Sequence, residues 1–138
     1  MKLLKIIFFI ILISSNLFAN TDYFNEGLVL YEKNNLDKAK FKFEQDIVFN
    51  PKSEKSYLYL SKIFNVQNKK DLEEKNLNTV ILLNPKNEEA VYNLAKLKLD
   101  MSDYAESKSL ISKLLVFCKN YCQKSKKLKI EIENSLKK

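Results

Sequence analysis

Residues 47–52 of the chain read IVFNPK, and residues 81–86, 34 positions further on, read ILLNPK. A stretch that returns after about 20 to 50 residues indicates a repeat architecture, and this spacing is typical of a helical hairpin. Proline cannot continue a helix, and the residue before it is biased away from helical geometry, so each Asn-Pro pair predicts a junction between hairpins. A third copy at residues 115–120 reads LVFCKN, and its loss of Asn-Pro predicts a different connection there.

Each period contains two helical patterns separated by a polar turn. In the first period, Ala39, Phe43 and Ile47 recur at the i, i+4 spacing of one face of a helix. The turns are predicted at Asn34-Asn35, at residues 67–70 and at Ser102-Asp103. Helices this short are marginal in isolation, so their stability has to come from packing on their neighbours.

Small residues recur with the same period, at Gly27, Ser61 and Ala95. Because a small side chain lets two helices approach closely, these positions are predicted to lie where the helices of each hairpin meet. The sequence therefore predicts an all-α fold, a short right-handed solenoid of about three antiparallel helical hairpins with a C-terminal capping helix. The predicted boundaries are residues 20–53, 54–87 and 88–121 for the repeats and 122–138 for a basic amphipathic capping helix.

The N-terminal segment has a different character. Lys2 and Lys5 precede an uninterrupted apolar run over residues 6–13, and the small residue Ala19 precedes a polar stretch. This pattern predicts a secretory signal peptide over residues 1–19, and hence an exported protein of the periplasm or cell envelope. The alternative is a protein anchored in the membrane by an uncleaved segment, although the apolar run is shorter than the ~20 residues that a spanning helix needs.

The formal net charge of +7 is concentrated at the two ends of the chain. Residues 20–118 contain 15 lysines and 15 acidic residues, whereas residues 119–138 contain seven lysines and two glutamates. The chain has no arginine, and therefore no planar fork for bidentate contact with phosphate or guanine. Nucleic acid is for this reason not a predicted partner.

The C-terminal segment from Cys122 is predicted to cover the open end of the last hairpin. Leu128, Ile132 and Leu136 lie at i, i+4 spacing and form its predicted apolar face. Its lysines either form a solvated face or a basic rim for acidic partners or an anionic membrane surface, the latter as a secondary contact. These lysines are Lys124, Lys126, Lys127 and Lys129.

Cys118 and Cys122 are the two cysteines of the chain. In an exported protein they predict a disulfide between the last hairpin and the cap, with two free thiols as the alternative. Metal binding is not predicted, because the chain has no histidine and two thiolates do not complete a tetrahedral site. No cofactor and no enzyme activity are predicted, because there is no glycine-rich phosphate loop and no ordered set of nucleophile, base and orienting group.

The repeats resemble the tetratricopeptide repeat family over about residues 20–120. The third unit is the clearest: residues 90–95, AVYNLA, resemble the family's first helix, and residues 102–107, SDYAES, its turn into the second. Where the family usually carries apolar or small residues, this sequence departs from the pattern at Glu26, Asp46, Glu73 and Lys98. Glu26 and Asp46 are interpreted as facing solvent at an uncovered end of the array.

The resemblance implies a protein-binding function, with the first helix of each hairpin lining a groove for a partner peptide or helix. The residues that the resemblance places in this groove are Phe24, Asn25, Leu28, Tyr31, Lys55, Leu58, Tyr59, Lys62, Glu89, Tyr92, Asn93, Lys96 and Leu99. A Lys/Asn/Arg clamp for a C-terminal carboxylate, which some members use, is not implied, because other residue types occupy most of those places. The predicted function is an exported protein-binding adaptor, and the alternative is a self-associating or structural scaffold subunit of an envelope assembly, with homo-oligomers as part of that alternative.

Overall fold

The structure is a computed structural model that describes residues 22–137, so the predicted signal peptide lies outside the described residues. The described chain forms seven helices and no strands: α1 (Tyr23–Glu32), α2 (Leu36–Phe49), α3 (Glu54–Val66), α4 (Lys70–Leu83), α5 (Glu88–Asp100), α6 (Tyr104–Phe117) and α7 (Cys122–Ser135). Helices α1–α2, α3–α4 and α5–α6 pair as hairpins, each hairpin packs on the next, and α7 packs mainly on α6. The predicted all-α solenoid of helical hairpins is confirmed.

The three hairpin turns share one backbone conformation. Asn34, Asn68 and Ser102, which are 34 residues apart, lie in the left-handed region with φ of 58°, 53° and 63°. In the first turn the N–H of Asn35 donates to the C=O of Leu30 at 2.9 Å, and the equivalent bond recurs in the other two turns. Such bonds satisfy carbonyl groups that the end of a helix leaves unpaired. The sequence predicted these turns, but it did not reveal their left-handed residues.

The core repeats with the same period as the sequence. Phe43, Leu77 and Ile111, again 34 apart, are each 0% exposed on the second helices of the three hairpins. Burying a side chain of this size stabilises the fold by about 1.5–3 kcal/mol relative to leaving it exposed. Each of these side chains also belongs to an apolar cluster with residues of the helix that follows its hairpin, so one such cluster fills each junction of the array.

The small residues lie at the helix contacts, as the sequence predicted. A Cβ atom added at Gly27 would lie 2.7 Å from Cε1 of Phe43, so no larger side chain fits there without movement. Ser61 and Ala95 are buried at the equivalent positions. In the third hairpin the hydroxyl of Ser107 donates to the C=O of Ala95 at 2.7 Å, which joins the two helices directly.

The two acidic departures of the first unit have different environments. Glu26 is exposed, as predicted, and its carboxylate lies 2.6 Å from Nζ of Lys42. Asp46 does not face solvent: it is half-buried and accepts a hydrogen bond from the hydroxyl of Ser56. The prediction for Asp46 is wrong because α3 packs against this part of α2 and covers it.

Lys98 is a buried charge that the fold compensates. It is 8% exposed, and its Nζ lies 2.7 Å from Glu74 and 2.9 Å from Glu106. The hydrogen bonds that Lys98 donates to Glu74 and Glu106 raise the pKa of Lys98 and outweigh the opposing effect of burial. A buried charge is tolerated when it is paired in this way, so Lys98 ties α5 to both α4 and α6.

Helix α7 covers the last hairpin through two of its three predicted apolar residues. Leu128 and Ile132 are buried against α6, whereas Leu136 is 52% exposed. The prediction for Leu136 is wrong because α7 ends at Ser135 and leaves Leu136 beyond the helix it was expected to extend. A disulfide between Cys118 and Cys122 joins the residue after α6 to the first residue of α7.

The second helices carry a row of exposed apolar side chains. Val48, Leu82 and Val116 are 73%, 82% and 87% exposed. They are the middle residues of the three apolar triplets that define the 34-residue period. The repeat therefore preserves an exposed apolar row as well as a buried core.

Candidate functional site

Aromatic side chains meet between α1, α2 and α3, with Tyr59 at their centre. Its ring centroid lies 5.1 Å from that of Tyr31, 5.2 Å from that of Phe43 and 5.8 Å from that of Phe24. Aromatic pairs at such distances contribute about 0.5–1.5 kcal/mol beyond their area burial. Phe43 is fully buried, whereas Phe24, Tyr31 and Tyr59 are only partly buried, so this aromatic cluster also presents ring surface to solvent.

Two lysines of α3 lie over the aromatic cluster. Nζ of Lys55 is 5.7 Å from the ring centroid of Phe24, and Nζ of Lys62 is 4.6 Å from that of Tyr59. Lys62 also forms an ion pair with Glu89 of α5 at 2.8 Å. Burial disfavours the charged form of Lys62, but the hydrogen bond and charge of Glu89 outweigh it and raise the pKa of Lys62. The cluster is thereby linked to the third hairpin.

Tyr92 of α5 pairs with a residue that sequence reasoning missed. Its ring centroid lies 5.4 Å from that of Tyr121, and Nζ of Lys124 lies 4.9 Å from the Tyr121 ring. Burial, with smaller contributions from nearby carboxylates, raises the pKa of Tyr121. Tyr121 precedes α7 and thus extends the aromatic surface beyond the third hairpin.

The position of Tyr121 depends on Glu88, the first residue of α5. The Glu88 carboxylate accepts hydrogen bonds at 2.8 Å from the backbone N–H groups of Lys119, Asn120 and Tyr121. These bonds, that from Tyr121 foremost, lower the pKa of Glu88. Glu54 lies 34 residues earlier, and its carboxylate accepts from the side-chain amide of Asn84 at the preceding junction. The recurrence of glutamate at the start of α3 and α5 was the sequence signal for this role.

A cavity of about 210 Å³ lies between α1, α3, α4 and α5. Its lining residues are Tyr31, Ser61, Lys62, Asn65, Val66, Glu73, Asn93, Lys96, Leu97 and Asp100. The period explains why it is open: Asn93 stands 34 residues after Tyr59, and Asn65 stands 34 after Tyr31. Two aromatic residues that fill the first interface are thus replaced by two asparagines in the second.

Glu73 contributes a buried carboxylate to this cavity. It is 5% exposed, and both carboxylate oxygens accept from Nδ2 of Asn65, at 3.0 and 3.1 Å. Burial, with a contribution from Asp100, raises the pKa of Glu73 despite the hydrogen bonds from Asn65. The residues 34 before and 34 after it are Ala39 and Ser107, both fully buried. A position that otherwise holds a small side chain therefore carries an acid here.

The structure brings most of the predicted groove residues together in three places. Those in or over the aromatic cluster are Phe24, Tyr31, Lys55, Tyr59 and Lys62. Those that line the cavity are Tyr31, Lys62, Asn93 and Lys96. Tyr92 forms the third place with Tyr121.

Four predicted groove residues lie elsewhere. Leu58 is 8% exposed and belongs to the core between α3, α4 and α5, because it faces Leu77 rather than solvent. Asn25 is exposed, but it is bonded to Asp22 at the start of α1. Leu99 packs against the core of the α5–α7 region, and Leu28 is half-buried outside both the cluster and the cavity.

Two kinds of structural feature are absent from residues 22–137. None of their helices combines the length and the apolar character needed to cross a membrane. Nor do three or more cysteine, aspartate or glutamate side chains in this part of the chain come together in a group that could hold a metal ion. The aromatic cluster and the cavity together offer aromatic faces, amides, ammonium groups and carboxylates.

Solved structures of peptide-binding helical arrays are similar to this chain over most of its length. The first tetratricopeptide repeat domain of Spaghetti (RPAP3), bound to an HSP90 peptide, has a TM-score of 0.76 and 14% identity, covering 84% of this chain and 91% of that one. This chain has a tetratricopeptide-repeat fold. The Yersinia enterocolitica type III secretion chaperone SycD, in complex with a peptide of the translocator YopD, matches this tetratricopeptide-repeat array with a TM-score of 0.76 and 13% identity, covering 82% of this chain and 91% of SycD.

A third tetratricopeptide-repeat structure is similar to the same extent. The TPR2B domain of yeast Sti1, in its pHsp70 complex, has a TM-score of 0.76 and 13% identity, covering 83% of this chain and 95% of that domain. No protein-family sequence model matches the array, and no curated protein matches it in sequence. The resemblance first found in the residues is therefore confirmed by similarity of structure.

Proposed function

We propose that this chain is a protein-binding adaptor that docks a partner peptide or helix on the surface of α1, α3, α5 and the start of α7. The observation that carries the proposal is the continuity of this surface. Tyr31 and Lys62 belong both to the aromatic cluster and to the cavity, and Lys62 is bonded to Glu89 of the next hairpin. RPAP3 and SycD hold peptides of HSP90 and YopD, which supports a peptide as the class of ligand.

Docking would combine apolar contact on the aromatic rings with polar contacts at the lysines. Tyrosine suits such a surface because it offers a large contact area and a polar tip at a low cost in conformational entropy. A clamp for a C-terminal carboxylate is not part of the proposal, because Phe24, Tyr59 and Glu89 stand where such a clamp needs donors. We infer binding without catalysis, since the chain has no histidine and the surface offers no activated nucleophile.

We further propose that the adaptor acts outside the cytoplasm, in the periplasm or cell envelope. Two observations support this location. The N-terminal sequence has the charged, apolar and small-residue parts of a signal peptide. The disulfide between Cys118 and Cys122 belongs to an oxidising compartment. Mass spectrometry of the protein expressed from its full-length sequence tests both points, since processing after Ala19 and oxidised cysteines are expected together.

The docking surface is tested by charge reversal at two exposed lysines. Lys55 and Lys124 lie on α3 and α7 over the rings of Phe24 and Tyr121, and neither is needed for the core. Lys55→Glu combined with Lys124→Glu should release a partner that the wild-type chain captures from envelope extract. The matched control is Lys108→Glu combined with Lys113→Glu, the same charge change at exposed positions of α6.

The control decides how the capture result is read. Loss of the partner in the first variant and retention in the second supports docking on the proposed surface. Equal capture by both variants, at equal helicity, removes the proposal for this surface. Equal loss in both variants would instead make net charge the determinant and would equally remove it.

The predicted alternative, a self-associating scaffold subunit, is favoured by the exposed row of Val48, Leu82 and Val116. A second copy of the chain is an occupant that would cover such a row and withdraw it from water. Sedimentation of the wild-type chain beside Leu82→Glu gives the oligomeric state of each and tests whether a second copy covers the row. A dimer that dissociates in the variant supports it, and a wild-type chain that remains monomeric at high concentration contradicts it.

A further inference from the structure

The cavity between the second and third hairpins contains a buried carboxylate, that of Glu73, which lies within ion-pair distance of no lysine of the described residues. Five ion pairs are found among residues 22–137, and Glu73 takes part in none of them. Its carboxylate is bonded by the neutral amide of Asn65. An ionised carboxylate withdrawn from water without a cation is costly, and a protein retains it where something else compensates for it.

A second acid lies in the same cavity. Asp100 is one of its lining residues, and its charge adds to burial in disfavouring the ionised form of Glu73, whereas Lys70 and Lys96 favour that form from beyond ion-pair distance. Of the two lysines that line the cavity, Lys62 is already paired with Glu89 at 2.8 Å. Lys96 is exposed to solvent. An anionic ligand would therefore meet one paired and one solvated lysine, together with two repelling carboxylates.

The remaining walls suit a long cationic side chain. The ring of Tyr31 borders the cavity, and an aromatic face attracts an ammonium or guanidinium group. Asn65 and Asn93 supply amide oxygens that can accept from such a group. Leu97 and Val66 offer apolar surface along which a methylene stem can lie.

We propose that this cavity is a specificity pocket that receives a lysine or arginine side chain of the docked partner, with Glu73 as the residue that pairs with its charge. The inference rests on the proposed peptide-docking function and names the chemistry of one position in the docked segment. The bound cation replaces the missing partner of Glu73. Asn65 holds the carboxylate in place, because it bonds both of its oxygens.

The pocket is tested first without any partner protein, using small probes. N-acetyl-arginine amide is titrated into the isotope-labelled full chain while backbone amide shifts are followed, beside N-acetyl-citrulline amide, which has the same shape but no charge. The arginine probe should give saturable shifts at Asn65, Glu73 and Asn93, at least 5-fold tighter than the citrulline probe. Equal shifts from both probes, or stronger shifts from N-acetyl-glutamate amide, would overturn the proposal.

Two substitutions show that the effect comes from Glu73. Glu73→Gln keeps the size of the side chain and removes its charge, and Glu73→Ala restores the residue type of Ala39 at the equivalent position. Both variants should remain folded and lose at least 5-fold of the affinity for the arginine probe. Unchanged affinity in either folded variant would contradict the role of Glu73.

Selection from a random 12-residue peptide library separates this inference from the proposed function. The wild-type chain should select peptides with a basic residue at one fixed position among aromatic or aliphatic residues, and Glu73→Gln should keep the latter while losing the former. Peptides selected without a basic residue overturn the pocket but leave peptide docking in place. A wild-type chain that selects no peptide overturns both.

Discussion

Replacing Gly27 by alanine sets two known effects against each other. Alanine in a helix is favoured over glycine by about 1 kcal/mol, so helix propensity alone predicts a stabilised protein. The structure predicts the opposite. The new Cβ would lie 2.7 Å from Cε1 and 2.8 Å from Cδ1 of Phe43, whereas carbon atoms in contact prefer about 3.5–4.0 Å.

The ring of Phe43 has little room to retreat. It is fully buried, and its centroid lies 5.2 Å from that of Tyr59 and 5.8 Å from that of Phe24. Overpacking of a closed core costs about 1–3 kcal/mol. With the gain in propensity subtracted, we expect Gly27→Ala to lower the free energy of unfolding by about 1 kcal/mol.

Urea denaturation followed by helical circular dichroism measures this difference. Ser61→Ala is the matched control, because it changes the equivalent position of the second hairpin without adding a carbon atom. It removes one hydrogen bond, from the Ser61 hydroxyl to the C=O of Leu58, and should cost no more than about 1 kcal/mol. A Gly27→Ala protein at least as stable as wild type would refute the reasoning from close packing.

Four further predictions concern one turn residue, two acids and the disulfide. Ser102→Asn should raise the free energy of unfolding by about 0.5–1 kcal/mol in urea, because asparagine tolerates the left-handed backbone that serine must adopt there; an unchanged midpoint would contradict this. The pKa of Glu73 is raised in the folded state, so the stabilisation from its protonated form is complete below pH of about 4.3 and is lost as pH rises through the folded pKa; the stability of Glu73→Gln relative to wild type should therefore increase as pH rises above about 4.3. Glu88 has a lowered pKa, so its contribution is complete above about 4.3 and is lost as pH falls; the disadvantage of Glu88→Gln should shrink in acid, and pH-independent differences for both variants would contradict these signs. Reduction of the Cys118–Cys122 bond should lower thermal stability by an amount equivalent to about 2 kcal/mol, since the closed loop is short; an unchanged melting temperature would oppose this.

The helices and turns were predictable because local residue patterns specify them. Phe43, Leu77 and Ile111 recur with the period and face the core, and Asn-Pro ends two hairpins. The left-handed turn residues recur with the same period, but two asparagines and one serine do not distinguish a left-handed position from an ordinary polar turn. Leu136 was misassigned because its i, i+4 spacing extends a pattern past the point where α7 ends.

The depth of side chains on the first helices could not be predicted as well. Leu58 and Tyr59 are adjacent, and a family pattern places both in the groove. In the structure Leu58 faces the second helix of its own hairpin and the next hairpin, whereas Tyr59 faces α1 and α2. Which of two neighbours is buried depends on how α3 packs against α1, α2, α4 and α5, and that geometry is not present in the spacing of one helix.

Glu73 was visible in the sequence as a departure from the family pattern, but its role was not. Its hydrogen-bond partner Asn65 lies across the α3–α4 turn, and the open space beside it arises from residues of another hairpin. An acid has room there because Asn65 and Asn93 stand where the first interface has the larger residues Tyr31 and Tyr59. The sequence does not show that these two tyrosines fill the first interface.

The two interfaces of the array differ in a way that follows from the nature of a repeat. In a solenoid each hairpin contacts its neighbours, so stability is approximately a sum over interfaces and one interface can change without altering the others. The first interface is closed by aromatic rings around Tyr59, and the second keeps a buried core at Leu77 and Leu94 while it opens a polar cavity above them. Lys98, paired with Glu74 of α4 and Glu106 of α6, adds a charged contact to the second interface. The polar cavity lies where the 34-residue pattern fails, and such a change leaves the neighbouring interfaces intact because each interface contributes its own share of the stability.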